Sequence, residues 1–171
     1  FDTLTSLPNR SLLSERLSRA IARARDNGHR IAVLFLDLDR FKDINGSLGH
    51  AAGDRILCAP ATRVQQTVGM HHTVARLGGD EFTIVIENLD EVQAADRMAR
   101  EIIHAFEAPL RIDDRRQITI SPSLGISIYP DHARGAIELL KQADIAMNQA
   151  KAAGRRTFKR YDDAMDIAAR R

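Results

Sequence analysis

One cysteine among 171 residues, Cys58, excludes any disulfide within the chain and fits a reducing compartment. It sits in an apolar helical stretch, where a buried, inert thiol is expected rather than a nucleophile. No apolar run approaches the roughly 18 residues that a membrane-spanning helix needs, and the opening residues lack the layout of a signal peptide. Neither sign of charge dominates. Lys plus Arg number 25 and Asp plus Glu 23, so nothing points to a nucleic-acid partner or a membrane contact. No His/Cys cluster has zinc spacing; the pair His71 and His72 is expected exposed at a strand start. Internal repeats and low-complexity segments are absent. The first residue is Phe1, not methionine, so the chain is expected to be an excised domain, cytoplasmic even where its parent is membrane-anchored.

What remains is an ordinary globular composition, 44% hydrophobic and 28% charged. The length predicts one domain that buries roughly 70% of its unfolded surface. Residues 4–10 read as a turn into a helix that carries Leu13, Leu17, Ala20, Ile21 and Ala24 at helical spacing and stops at Asn27-Gly28. Residues 31–38 form a nearly unbroken apolar run, predicted to be a fully buried central strand. Residues 40–49 read as a short polar helix or turn, and 51–68 as a helix that Pro60 kinks. Val92, Ala95, Ala99, Ile102, Ile103 and Phe106 make a helical stripe. Residues 110–112 and 117–128 are expected to pair about an Asp113-Asp114 turn, with Pro122 as an interruption. A helix over 136–152 ends at Gly154, an edge strand follows over 156–161, and 162–171 reads as a polar linker helix after a domain of 1–161. This order predicts an α+β, elaborated ferredoxin-like fold, with a mainly antiparallel sheet flanked by helices.

The stretch 74–86 organises the rest. Two apolar runs flank Gly78-Gly79, and Asp80 and Glu81 follow at once. The runs read as a hairpin, and the glycines allow another molecule close to the backbone. As neighbours in extended chain, Asp80 and Glu81 are expected on opposite faces. Asp37 ends the buried strand. In a ferredoxin-like sheet that strand neighbours the hairpin, which brings Asp37 beside Asp80. Two such charges about 4 Å apart repel by roughly 4 kcal/mol near a protein surface, and a divalent cation relieves this. Oxygen ligands favour Mg²⁺ over zinc. Lys42 lies in a turn whose amides suit phosphate. Lys151 and Arg155 are four apart at the end of the last helix, and Asn45 and Asp54 have the groups to read a base edge. Read from the residues alone, this is a nucleoside-triphosphate site at a sheet edge, suited to metal-assisted in-line displacement.

Residues 76–82, Arg-Leu-Gly-Gly-Asp-Glu-Phe, resemble the signature of the GGDEF diguanylate cyclase family. Residues 2–10, 37–45 with 49–54, and 150–155 resemble that family's opening, metal-and-guanine and closing motifs, so the resemblance spans almost the whole chain. It implies a fold akin to nucleotidyl cyclase and polymerase palm domains. It also implies condensation of two GTP into cyclic di-GMP and two pyrophosphates, across a homodimer in which each domain holds one GTP. On this resemblance Asp37 and Asp80 ligate Mg²⁺ (or Mn²⁺) by side chain and Leu38 by its carbonyl. Asn45 and Asp54 bond guanine. Phe41 and Lys42 hold the terminal phosphates, Lys151 and Arg155 neutralise the triphosphate, and Gly78 and Gly79 let the backbone meet the nucleotide. Glu81 assists the metal or proton transfer, or holds the turn. Three departures stand out. Residues 69–72, Gly-Met-His-His, lack the Arg and Asp of a product-inhibition site. Asn148 replaces a frequent tyrosine, with packing the expected consequence. Pro60 is unusual in its helix. The opening motif and the tail also resemble chains in which an EAL phosphodiesterase follows and a sensor precedes. In such chains a silent, GTP-sensing regulatory domain is the alternative.

Overall fold

The computed structural model describes residues 1–41, 43 and 50–165, with the side chains of 50–56 outside that description. Helix α1 (Arg10–Asn27) starts where the Asn9 side chain accepts the Leu12 N–H at 3.0 Å, and ends at Gly28, whose φ of 71° a side chain would strain. Strand β1 (Arg30–Leu38) follows, then α2 (His50–Val68), the hairpin β2 (Thr73–Gly78) and β3 (Glu81–Leu89), α3 (Val92–Ala105), a short pair β4 (Leu110–Arg111) and β5 (Gln117–Ile118), β6 (Pro122–Tyr129), α4 (Ala136–Ala152) and β7 (Phe158–Arg160).

Among the described residues the main sheet has five strands in the order β2-β3-β1-β6-β7, antiparallel except for β6 with β7. The continuous apolar run of β1 has a direct cause: both of its faces are covered. Ala32, Leu34, Leu36 and Leu38 join a core with α2 and α3 residues such as Val64 and Ile102. Ile31, Val33 and Phe35 alternate onto the other face, against Leu13 and Leu17 of α1 and Leu139 and Met147 of α4. Asp37 is the next residue on this second face, so the end of β1 aims its carboxylate toward α4.

The β pair expected over 110–128 divides. Residues of β4 and β5 form a separate two-stranded ribbon, and β6 returns to the main sheet beside β1. Pro122 does not interrupt a strand; it is the first residue of β6, where its missing N–H removes no interior ladder bond. Helix α2 continues through Pro60. Cys58 is partly exposed, not buried, and its thiol donates to the Leu4 carbonyl at 3.3 Å. His72 is half-buried, its Nδ1 accepting the Glu87 N–H, while His71 is exposed. Asn148 lies exposed on α4, so it takes no part in the packing expected of it. Residues 163–165 are helical, and the remainder of the expected linker helix lies outside the described residues.

Arg63 of α2 donates to the carbonyls of Ala105, Ala108 and Pro109 where α3 ends. The Ala105 carbonyl is one that a helix terminus leaves without a partner, and the other two belong to the loop that follows. Arg63→Met, which keeps the aliphatic stem and removes the donors, is expected to lower stability by about 1–3 kcal/mol in a denaturant titration.

Candidate functional site

The ends of β1 and β3 build one wall. Asp37 stands opposite Glu81 in the β1–β3 register, and the Leu38 N–H donates to the Asp80 carbonyl at 3.3 Å. Asp80 itself lies in the turn after Gly78 and Gly79, not in an extended strand, so the opposite-face argument does not set its direction. Gly78 and Gly79 have φ of 145° and 52°, and a Cβ on either would meet nothing within 4 Å. The glycines are therefore required by backbone conformation and border open space. Arg76 fixes the turn from behind. Its Nε donates to the Gly79 carbonyl at 3.0 Å and its Nη1 to Asp2 Oδ1 at 2.8 Å.

Helix α4 supplies the opposite wall. Lys151, in its last turn, forms an ion pair with Asp37 Oδ2, and Arg155 follows just past the cap. Together Asp37, Leu38, Asp39, Arg40, Phe41, Asp43, Asp80, Glu81, Lys151 and Arg155 line a cleft of about 380 Å³. Seven residues expected from the sequence thus converge: Asp37, Leu38, Phe41, Asp80, Glu81, Lys151 and Arg155. Gly78 and Gly79 form the adjoining turn. Lys42, Asn45 and the side chain of Asp54 lie outside the described residues.

The electrostatics explain what such a cleft needs. Asp37 is 6% exposed, and its Oδ1 is buried without a hydrogen-bond partner. An oxygen left in that state is costly unless something completes it. Burial, followed by hydrogen bonding to and repulsion from Asp37, raises the Asp80 carboxyl to about 6. Burial and then Asp37 and Asp144 push Glu81 up as well, and burial raises Asp144. Lys151 opposes each of these shifts. The lining carries five acids against three bases, so an anionic ligand enters only with added positive charge. No group of three His, Cys, Asp or Glu among the described residues could hold a metal. Yet a carboxylate pair with one orphaned oxygen fits a hard divalent cation that takes its other ligands from a carbonyl, water or substrate phosphates.

The diguanylate cyclase GGDEF domain model matches residues 1–157. The chain belongs to this family. The GGDEF domain is 44% identical over 164 residues to the diguanylate cyclase TpbB of Pseudomonas aeruginosa, covering 95% of this chain and 38% of TpbB. It is 41% identical to the bifunctional diguanylate cyclase/cyclic di-GMP phosphodiesterase MucR of the same organism, over 98% of this chain and 24% of MucR. The chain therefore spans well under half the length of these relatives. Its structure superposes on the isolated GGDEF domain of TpbB with a TM-score of 0.96, at 41% identity and 99% coverage of both chains. It also matches the active GGEEF domain of a diguanylate cyclase from Vibrio cholerae, with a TM-score of 0.83 at 31% identity, covering 92% of this chain and 99% of that one. The expected palm-like nucleotidyl cyclase fold is thus the fold of this GGDEF domain.

Sequence reasoning gave Asp39, Arg40 and Asp43 no role, although all three line the cleft of this GGDEF domain.

The raised Asp80 carboxyl gives a pH dependence. In the metal-free fold Asp80 holds its proton more tightly than in the unfolded chain. Its contribution to stability is present below about pH 4 and is lost as pH rises through about 6. A cation bound to the carboxylate reverses that trend. Calorimetric titration with Mg²⁺ is therefore expected to show affinity falling by about tenfold per pH unit below 6 and levelling above it.

Proposed function

We propose that this GGDEF domain is a diguanylate cyclase that condenses two GTP into cyclic di-GMP and two pyrophosphates across a homodimer. The observation that carries this reading is the buried, unpartnered Asp37 Oδ1 beside an Asp80 carboxyl raised by burial and by that neighbour. A bound Mg²⁺ supplies charge neutralisation and a more acidic 3′-hydroxyl, and Mn²⁺ suits the same oxygen ligands. Asp37 and Asp80 hold the cation by side chain and Leu38 by its carbonyl. Lys151, which pairs with Asp37, and Arg155 would neutralise the triphosphate. Phe41, through its backbone, and Lys42 hold the terminal phosphates. Asn45 and Asp54 read guanine, and the Gly78-Gly79 turn lets the nucleotide lie against the backbone. Glu81, opposite Asp37, assists the metal or proton transfer or holds the turn.

Each 3′-hydroxyl attacks the α-phosphorus of the other GTP; one P–O bond forms, the bond to pyrophosphate breaks, and the hydroxyl proton is released. One cleft holds one GTP, so two domains must face each other. We infer a domain of residues 1–161 with a linker over 162–171, in a longer protein that carries a sensor and, as the resemblance suggests, an EAL domain. Purified domain incubated with GTP and Mg²⁺ is expected to form cyclic di-GMP, with the rate per chain rising with protein concentration. GTP binding without product, at concentrations that dimerise the domain, would instead identify a silent regulatory domain.

Met70 is 97% exposed, and residues 69–72 offer neither Arg nor Asp to a product dimer. Calorimetry with cyclic di-GMP is expected to show no tight binding there, and a micromolar or tighter isotherm would sink this expectation.

A further inference from the structure

Asp37 and Asp39 lie two residues apart at the end of β1, and their carboxylates meet different fates. Asp37 keeps an oxygen without a partner. Asp39, 7% exposed, has both oxygens engaged. Its Oδ1 accepts the Ser123 hydroxyl at 2.6 Å; its Oδ2 accepts the Ser121 hydroxyl at 2.6 Å and the Arg156 backbone N–H at 3.1 Å. Its own N–H donates to the Ser121 carbonyl at 2.8 Å. A carboxylate bound in this way is poorly suited to ligate a cation, and well suited to hold a loop.

The loop it holds is unusual. Gly154, Arg155 and Arg156 have successive φ of 118°, 65° and 48°. Side-chain-bearing residues avoid this region and remain there only where the surroundings fix them. The Gly154 and Arg155 N–H groups are tied back to α4, to the carbonyls of Lys151 and Ala150. Arg156 is tied across to the sheet, through Asp39. The consequence falls on Arg155. Its Nε stands 4.0 Å from Asp39 Oδ1, near enough for attraction and beyond hydrogen-bond distance, and its side chain lines the cleft. Its guanidinium donors are left to a ligand.

We propose that Asp39 is a positioning residue: by clamping the left-handed turn after α4 to the end of β1, it sets the Arg155 guanidinium where the triphosphate of a bound nucleotide lies. This role rests on the nucleotide site proposed above. It joins the phosphate-binding Arg155 and the cation-binding Asp37 in one rigid unit, because Asp39, just past the end of β1, follows Asp37 by two residues.

The test is a double-mutant cycle on binding of guanosine 5′-(α,β-methylene)triphosphate with Mg²⁺, a probe that cannot react at its α-phosphorus. Arg155→Ala is expected to weaken binding by about tenfold or more in the wild-type background, as for a lost charged hydrogen bond. Asp39→Asn, which sets an amide nitrogen against one of its donors, is expected to weaken it comparably. Once Asp39→Asn is present, Arg155→Ala is expected to cost no more than about a further twofold, because coupled residues are non-additive. Lys151→Ala, whose residue is carried by the helix itself, is expected to cost the same factor in both backgrounds, which general damage to the site would not produce. Multiplicative losses for Asp39 and Arg155, or wild-type affinity in Asp39→Asn, would overturn the role of Asp39 while leaving the nucleotide site intact. No binding by the wild-type domain would overturn both. If Asp39→Asn does not melt cooperatively, the Ser121→Ala/Ser123→Ala pair removes two of the three donors and keeps the carboxylate. A smaller Arg155→Ala loss in that background supports the clamp, and an undiminished loss refutes it.

Discussion

Asp80→Ala is expected to abolish cyclic di-GMP formation, lowering kcat by about a thousandfold or more, while the metal-free domain melts no lower than wild type. The two halves of this result have one cause. Asp80 is half-buried beside Asp37, and burial and that neighbour raise its carboxyl to about 6. In the metal-free fold at neutral pH it is therefore a repelled charge, and its removal relieves the repulsion. In the reaction the same carboxylate is half of the pair proposed to hold the cation, which neutralises charge at the transferring phosphorus. Such Lewis-acid stabilisation is worth several kcal/mol, or about three powers of ten in rate. Measuring turnover by product chromatography and stability by thermal melting separates the site from the fold. Retained activity would remove Asp80 from the metal site. Lost activity with a strongly lowered melting temperature would mean that Asp80 supports the hairpin instead.

Gly125→Ala is expected to destabilise the domain by about 3 kcal/mol or more, beyond the usual range for overpacking. Gly125 lies in β6, opposite Phe35 of β1, directly beneath α4. A Cβ there would sit 2.1 Å from the Ala143 carbonyl oxygen, 2.1 Å from the Met147 amide nitrogen and 2.8 Å from the Ala146 carbonyl carbon. All three are backbone atoms, so no rotamer change relieves the contact and the helix must move. For a domain of this size the loss corresponds to a melting temperature about 6–12 °C lower. The same displacement reaches the cleft, because α4 carries Lys151 against Asp37 and leads into Arg155. Surviving folded protein is expected to bind nucleotide more weakly. Gly135→Ala is the control: a Cβ at Gly135 meets nothing within 4 Å, and a shift below about 1 kcal/mol is expected at that N-cap. Equal melting temperatures for Gly125→Ala and wild type would show that α4 rides on β6 with more clearance than these contacts allow.

Local signals made much of this protein legible in its sequence. The unbroken run of β1 announced a strand covered on both faces, and the 3.6-residue stripes of α1 and α3 marked helices that each pack on one side. Glycines at 28, 78 and 79 marked chain reversals, because glycine adopts positive φ without the strain that a side chain brings. The candidate site was legible for a different reason: its residues lie in short motifs whose order and spacing resemble one family. What failed was pairing over distance. Residues 117–128 alternate as one strand would, yet they serve two sheets. The partner of each half lies elsewhere in the chain, and a period of two carries no record of which partner that is. Pro122 was misread for the same reason, since only the pairing shows that it begins β6.

The sequence by itself determined the helices, the two-faced burial of β1 and the set of carboxylates and cations available for chemistry, since each depends on neighbours a few residues away. Only the tertiary structure decided how those charges divide their work. Asp37 and Asp39 are the same residue type, two positions apart at and just past the end of β1, and no local property of the chain ranks them. Folding leaves one oxygen of Asp37 buried without a partner and surrounds Asp39 with Ser121, Ser123 and the Arg156 amide, from segments more than 80 residues away. Desolvation and hydrogen bonding are properties of that assembled environment. They leave one aspartate with an unpaired oxygen and the other with both oxygens engaged, which is the basis for proposing a cation site at the first and a clamp at the second.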